Sequence, residues 1–221
     1  MLLLNSQQGL RRVRNLPFCY LCGRHIQAGD VLNRDHVPPA ALFTEADRNF
    51  PLILRAHRHC NSAESASDET IGQLLGLKLG RVPADPKHRR LNIRLAVGSN
   101  RPRLGLLQGF HIEGAIRRWL KAFHAALYQE PLSANGFAIQ TPFPSGRLEK
   151  NSIVIDEVRG QHFRFVETIK RNRAVRNIDA IHCNNGKLRY ECVWERADNN
   201  GPWLCIFALN VYDWIDLGDI T

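Results

Sequence analysis

Apolar side chains recur at helical spacing between residues 110 and 129. The apolar positions there are Ile112, Ala115, Ile116, Trp119, Leu120, Phe123 and Leu127. Spacings of three and four residues place these side chains on one face of an α-helix. The pattern predicts a helix over residues 110–129 whose apolar stripe packs in a core. Arg117, Arg118 and Lys121 fall on the other side of that helix.

Short runs of β-branched and aromatic residues dominate the last third of the chain. They cover residues 152–156, 162–167, 187–194 and 203–211, and Gly and Asn residues typical of turns separate them. The runs predict a small antiparallel sheet, over residues 151–213, that packs on the long helix.

Residues 17–82 hold shorter elements. Gly29 and Asp30 mark a turn, so a hairpin strand would end a few residues later. Residues 50–54 predict a second short strand. Asn61 and the polar residues that follow it are typical of the start of a helix.

Proline and glycine clusters divide the chain. Residues 83–86 break it after these short elements, and residues 131–150 are typical of a linker or a long loop. We predict an α+β protein in three parts: a basic lead-in over residues 1–16, a compact unit over residues 17–82, and an α+β region over residues 83–221. The last part is a candidate for binding nucleic acid or a protein partner.

Composition favours a soluble, cytoplasmic protein without a membrane partner. Hydrophobic residues make up 44% of the 221, and no apolar run approaches the ~18 residues that a membrane span needs. The apolar start, residues 1–4, is too short for a secretory signal, and its charges follow it rather than precede it.

The chain is basic. It carries 30 Lys and Arg against 21 Asp and Glu, a formal net charge of +9. Such an excess favours polyanionic partners and raises their rate of encounter, although soluble proteins of many functions are also basic. Arg11, Arg12 and Arg14 would either lie along a phosphate backbone or belong to a packed lead-in. DNA is the expected partner, and RNA is not excluded.

Four residues have the spacing of a tetrahedral zinc site. Cys19 and Cys22 form one pair, and His57 and Cys60 form a second pair with the same two-residue gap. His59 competes with His57 as the fourth ligand, but it is adjacent to Cys60, and the two side chains would point apart. A redox role for the first pair is disfavoured because no thioredoxin-like βαβ pattern surrounds it.

Asp35 and His36 lie between the two ligand pairs, and Asn61 directly follows the last ligand. Zinc closure would bring all three together. Carboxylate and amide oxygens suit a hard divalent cation, and a neutral imidazole can take a proton from water. Neighbouring residues on a strand face opposite sides, so Asp35 and His36 serve one site only where the strand ends or bulges. Pro38 favours such an end.

The ordered set Cys19-x-x-Cys22-Gly23, Asp35-His36-Val37-Pro38-Pro39 and His57-x-x-Cys60-Asn61 resembles the HNH, or ββα-metal, endonuclease family, in the variant that ends in Asn. The resemblance implies a zinc-stapled treble-clef finger within residues 17–82. It implies His36 as general base, Asp35 and Asn61 as ligands of a catalytic Mg²⁺ or Mn²⁺, and the two x₂-spaced pairs as ligands of structural Zn²⁺. The role of Asn49, the candidate for the middle Asn of the family name, stays open.

Four arginines are candidates for contacts with nucleic acid: Arg89, Arg90, Arg117 and Arg118. The first two belong to a basic stretch that fits an amphipathic helix with a phosphate-facing side and equally an ordinary solvated face. The sequence leaves open the form of the substrate and whether two chains pair to cut both strands. The rival prediction is a zinc-stapled protein that binds nucleic acid without cleaving it.

Overall fold

The computed structural model describes residues 1–62, 68, 72–73, 92–96, 104–108, 112–132, 178–196, 203–212 and 215–220. For residues 92–96, 104–108, 112–113, 195–196, 203–204, 206 and 215–220 it describes the backbone alone. The strands predicted at residues 152–156 and 162–167, and the predicted contacts of Arg89 and Arg90, lie outside the described residues.

The N-terminal segment belongs to the same sheet as the C-terminal strands. Strand β1, Leu3–Leu4, pairs in parallel with the strand Asp179–Cys183. Helix α1, Gln7–Arg12, begins after Ser6, whose Oγ caps it by accepting a backbone N–H at 3.2 Å. Leu10 of this helix is buried. The lead-in is therefore packed through Leu10, and contact of its arginines with a phosphate backbone stays a prediction.

Two strands and a helix follow one another in the next unit. Strand β2, Leu32–His36, pairs antiparallel with β3, Ile53–His57, and helix α2, Arg58–Ser62, begins at the very next residue. The register places Asp35 opposite Leu54. The last residue of β3 and the first turn of α2 are thereby held at one end of the hairpin.

Two boundaries in this unit differ from the prediction. The second strand covers residues 53–57 rather than 50–54, because Phe50 has a left-handed backbone with φ of 52°, which a strand does not accommodate. The helix begins at Arg58, so Asn61 lies within it instead of starting it.

The part of the basic stretch that is described is extended. Strands β4, Asn92–Ala96, and β5, Leu104–Gln108, form an antiparallel hairpin. This excludes an amphipathic helix over residues 92–96. Polar and apolar residues alternate there in the sequence, which is the strand period rather than the helical one.

The long helix is confirmed. Helix α3, Ile112–Tyr128, lies within the predicted residues 110–129. The side chains of its apolar stripe that the structure describes are buried, including Trp119 and Phe123. One polar residue departs from the predicted helical wheel, because Arg118 is buried as well.

The C-terminal sheet is mixed rather than antiparallel. Strands β6, Asp179–Cys183, β7, Leu188–Arg196, β8, Trp203–Val211, and β9, Ile215–Ile220, join β1 in the order β1-β6-β7-β8-β9. The described pairs are antiparallel except β1 with β6. The prediction missed this because a two-residue strand carries no periodicity of its own, and it also ended the sheet before β9.

One hydrophobic core joins the helix, the sheet and the N-terminal unit. Phe123 of α3 stacks on Tyr190 of β7 with ring centroids 4.6 Å apart. Tyr20 and Phe43 belong to the same buried cluster, and Phe43 lies 5.7 Å from the ring of Tyr212. Among the described residues, no helix is long and apolar enough to cross a bilayer.

Candidate metal centre and the polar network beside it

A tight hairpin places the first two cysteines. The backbone N–H of Cys19 donates to the carbonyl of Arg24 at 2.9 Å, and the N–H of Gly23 donates back to the carbonyl of Cys19 at 2.8 Å. Gly23 has φ of +76°, a left-handed conformation that other residues adopt only at a cost. The turn therefore needs the glycine that directly follows Cys22.

The second pair comes from the junction of β3 and α2. His57 is the last residue of the strand, and Cys60 lies in the first turn of the helix. The ligand atoms of Cys19, Cys22, His57 and Cys60, here called the Cys/His cluster, all lie within 4.8 Å of one another. Cys22 Sγ is 3.4 Å from His57 Nδ1. Three thiols and an imidazole at this spacing could hold a metal ion such as zinc.

The structure distinguishes between the two candidate histidines. His57 is buried with its ring in the cluster, whereas His59 is exposed. The rings stack with centroids 5.4 Å apart and an interplanar angle of 11°. The His57 side chain therefore belongs to the Cys/His cluster, and the His59 ring stacks on it from outside.

Asp30 supports the cluster from outside. Its Oδ2 lies 3.2 Å from His57 Nε2, the ring nitrogen that does not face Cys22. A carboxylate at this nitrogen fixes the tautomer and leaves Nδ1 available to a metal. Sequence reasoning treated Asp30 only as a turn residue, and the turn hydrogen bond is present too, since Gln27 N–H donates to the same oxygen at 2.7 Å.

The thiols of the cluster differ in acidity. Burial raises the pKa of Cys22, but hydrogen bonds from Arg24, His57 and Cys19 outweigh it and lower that pKa to about 6. Burial, together with the charges of Cys19 and Cys22, raises the pKa of Cys60 to about 12. Mutual repulsion therefore opposes ionisation of all the thiols, and a bound metal cation would remove that opposition.

A second polar group lies next to the cluster. Asp35 is buried, and its Oδ2 accepts hydrogen bonds from the hydroxyl of Tyr20 and from Arg118 Nη2, the latter at 2.5 Å. The same Nη2 donates to Asn61 Oδ1 at 2.8 Å. Two of the predicted catalytic residues, Asp35 and Asn61, therefore do converge, and they converge on a guanidinium nitrogen.

Arg118 makes two further contacts. Its Nη1 pairs with the carboxylate of Asp68, and its Nε donates to the hydroxyl of Tyr20 at 3.3 Å. Burial and the charge of Asp35 raise the pKa of Tyr20 well above its ordinary value, so its hydroxyl stays protonated and donates to Asp35. These five residues, Tyr20, Asp35, Asn61, Asp68 and Arg118, are called the Arg118 network below.

His36 lies at the end of β2, half-buried, next to the network. The strand ends at His36, and among the described residues no hydrogen bond joins His36 to Asp35 or to Asn61. Burial lowers the pKa of His36; the charge of Asp35 raises it, and the charges of Arg14 and Arg48 lower it further. The shift favours the neutral form of the imidazole.

A basic cavity of about 220 Å³ opens between the cluster and α3. It is lined by Leu21, Cys22, Cys60, Gly114, Arg117, Arg118 and Lys121. Lys121 Nζ donates to the carbonyl of Leu21 at 2.9 Å, which ties the hairpin to the helix. Arg117 and Arg118 differ in position, since Arg118 is only 3% exposed and bound to carboxylates. The prediction that both contact nucleic acid stays a prediction.

Comparisons with known proteins give no further assignment. No protein-family model matches the chain, and no curated protein or solved structure matches it significantly.

Proposed function

We propose that this protein is a metal-dependent endonuclease of the HNH type that hydrolyses phosphodiester bonds in DNA. The observation that supports it best is the meeting of Asp35 and Asn61 at one point beside the Cys/His cluster. These residues are 26 positions apart in the sequence, and β2 and α2 bring them together. The cluster holds zinc and serves the fold rather than the reaction.

Zinc is the metal that suits the cluster. Its donors are three sulfur atoms and one imidazole nitrogen, a closed set of four with no position left for water or substrate. Such a set is typical of structural sites. In this chain it joins the hairpin that carries Cys19 to the strand and helix that carry His57 and Asn61.

The donors of Asp35 and Asn61 suit a different ion. A carboxylate and an amide oxygen are hard ligands of the kind that Mg²⁺ or Mn²⁺ prefers. Bound there, such a cation would neutralise the charge that develops on the phosphate and on the leaving oxygen. The Tyr20 hydroxyl fixes the orientation of the Asp35 carboxylate through its hydrogen bond.

His36 is the general base in this proposal. Its neutral imidazole takes a proton from the water that attacks phosphorus. Burial, together with the charges of Arg14 and Arg48, favours that neutral form, and the same two arginines attract the phosphate. Arg117 and Lys121 line the basic cavity beside Cys22, and in this proposal they contact the nucleic-acid backbone.

His36→Ala tests the assignment. We expect it to lower the rate of plasmid cleavage by the ~10² to 10⁴ that a general base contributes, with zinc content and the thermal unfolding midpoint nearly unchanged. His25→Ala is the matched control, because His25 is exposed and lies outside the cluster and the network. Normal cleavage by the His36 variant would exclude this residue as the base.

A second function has one specific observation in its favour. Arg118 satisfies the oxygens that a divalent cation would need, which suits a zinc-stapled protein that binds nucleic acid without cutting it. Incubation of supercoiled plasmid with Mg²⁺ or Mn²⁺, and in parallel with EDTA, separates the two functions. Metal-dependent nicking supports the nuclease, and binding of the plasmid by the protein without nicking supports the binding protein.

A further inference from the structure

Arg118 holds together side chains from separate parts of the chain. Its Nη2 bonds to Asp35 on β2 and to Asn61 on α2, and its Nη1 pairs with Asp68. The guanidinium reaches them from α3, 83 positions away from Asp35. An arginine that is 3% exposed needs such compensation, because a buried charge without partners is costly.

The guanidinium uses the oxygens that the proposed reaction needs for a metal. Nη2 lies 2.5 Å from Asp35 Oδ2 and 2.8 Å from Asn61 Oδ1. Lone pairs that point at Nη2 are not available to a divalent cation. A cation on the same two oxygens would also lie next to a positive guanidinium in a poorly solvated place, where like charges repel strongly.

We propose that Arg118 and the divalent cation compete for Asp35 and Asn61, so that the position of this one side chain controls access of metal to the site. The inference rests on the proposed function. Arg118 is a positioning residue in this scheme, because it holds Asp35 and Asn61 at a fixed separation. Metal binding requires its Nη2 to move away from the oxygens of both residues. Arg118 lines the basic cavity together with Arg117 and Lys121, and this cavity is the space into which it withdraws.

Competition and a purely structural role predict changes of opposite sign in the affinity for Mn²⁺ when Arg118 is replaced. Arg118→Met removes the charge and keeps an unbranched side chain. If Arg118 competes, the zinc-loaded variant without nucleic acid should bind Mn²⁺ about 10-fold more tightly or better than the original protein, as measured by electron paramagnetic resonance of free Mn²⁺. If Arg118 only supports the site, its loss should weaken Mn²⁺ binding.

Lys121→Met is the matched control. Lys121 lies one turn along the same helix and lines the same cavity, but its Nζ donates to the Leu21 carbonyl. General loss of positive charge would tighten Mn²⁺ binding equally in both variants, and that result would overturn the proposal. Unchanged or weaker binding by Arg118→Met would overturn it too.

A second measurement does not depend on the variant folding. Mg²⁺ is titrated into the ¹⁵N-labelled original protein, and the Nε–H resonance of Arg118, which reports its bond to Tyr20, is followed by NMR. The proposal requires that resonance to shift and to saturate as Mg²⁺ binds. If Mg²⁺ binds and the resonance does not shift, the competition proposal is overturned while the proposed nuclease function is not. No binding of Mn²⁺ or Mg²⁺ by any variant would also remove the catalytic metal from the proposed function.

Discussion

Replacing Asp30 by Ala tests whether the Cys/His cluster binds metal as its geometry indicates. Asp30 Oδ2 is 3.2 Å from His57 Nε2, and Cys22 Sγ is 3.4 Å from the other ring nitrogen. Partners of this kind contribute ~10- to 100-fold to metal affinity. The Asp30 side chain is 33% exposed, so water replaces part of the lost hydrogen bond. We therefore expect zinc affinity to fall by about 10-fold, the lower end of that range.

Competition with a chromogenic chelator measures the loss. The protein is loaded with one equivalent of zinc, and the chelator concentration that removes half of it is compared between variants at fixed pH. Asp30→Asn serves as an intermediate, because its side-chain oxygen can still accept the turn hydrogen bond from Gln27 while its charge is gone. Its zinc affinity should lie between those of the original protein and Asp30→Ala.

A double-mutant comparison separates the metal role of Asp30 from its turn role. His57→Cys keeps four ligands but removes the ring nitrogen that Asp30 accepts from. In that background, Asp30→Ala should change zinc affinity by less than about 2-fold if the carboxylate acts through the imidazole. An equal loss in both backgrounds would show that Asp30 acts only through the turn, and no loss in either would refute the inferred orientation of the His57 ring.

Two further predictions concern stability. Cys22→Ala should abolish stoichiometric zinc binding and unfold the N-terminal unit, because metal binding and folding are coupled in such sites; zinc analysis and hydrogen exchange of residues 17–62 check this, and a variant with native exchange would contradict it. Burial lowers the pKa of His124, although the charge of Glu130 opposes this shift. As the pH falls through about 6.5, the ordinary histidine pKa, the unfolded chain therefore binds more protons than the folded protein, and the folded protein loses stability. His124→Phe, whose ring can still pack on Tyr128 and Trp194, should show a shallower loss between pH 7.5 and 5.5 in urea unfolding, and an equal loss would exclude His124 as the source.

The Cys/His cluster could be predicted from the sequence because chelation of a metal restricts the spacing of its donors. Two donors on one tight turn or one helical turn must lie a fixed number of residues apart, and both pairs keep a two-residue gap. The long helix was predictable for a similar reason, since burial of one face imposes a period. Local constraints of this kind leave a local signature.

Contacts between distant residues leave no such signature. Arg118 follows another arginine on a helix, and its burial depends on Asp35, 83 positions away. Asp30 carries a turn signal, which concealed its contact with His57, 27 positions away. The parallel pairing of the edge strand Leu3–Leu4 depends on β6, whose paired residues lie 177 positions further along the chain. In each case the partner, rather than the neighbouring sequence, determines the structure.

The two proposed functions differ in what Asp35 of the Arg118 network binds, which is either Arg118 or a divalent cation. A buried guanidinium must have its charge balanced, and here Asp35 and Asp68 balance it. Asp35 cannot at the same time give its Oδ2 fully to Arg118 and to a divalent cation. In a nuclease built on these residues, metal binding would break the ion pair between Arg118 and Asp35, and its stabilising energy would be lost. A binding protein would keep the ion pair permanently. The affinity for a hard divalent cation, with and without the Arg118 charge, therefore distinguishes the nuclease from the binding protein before any nucleic acid is added.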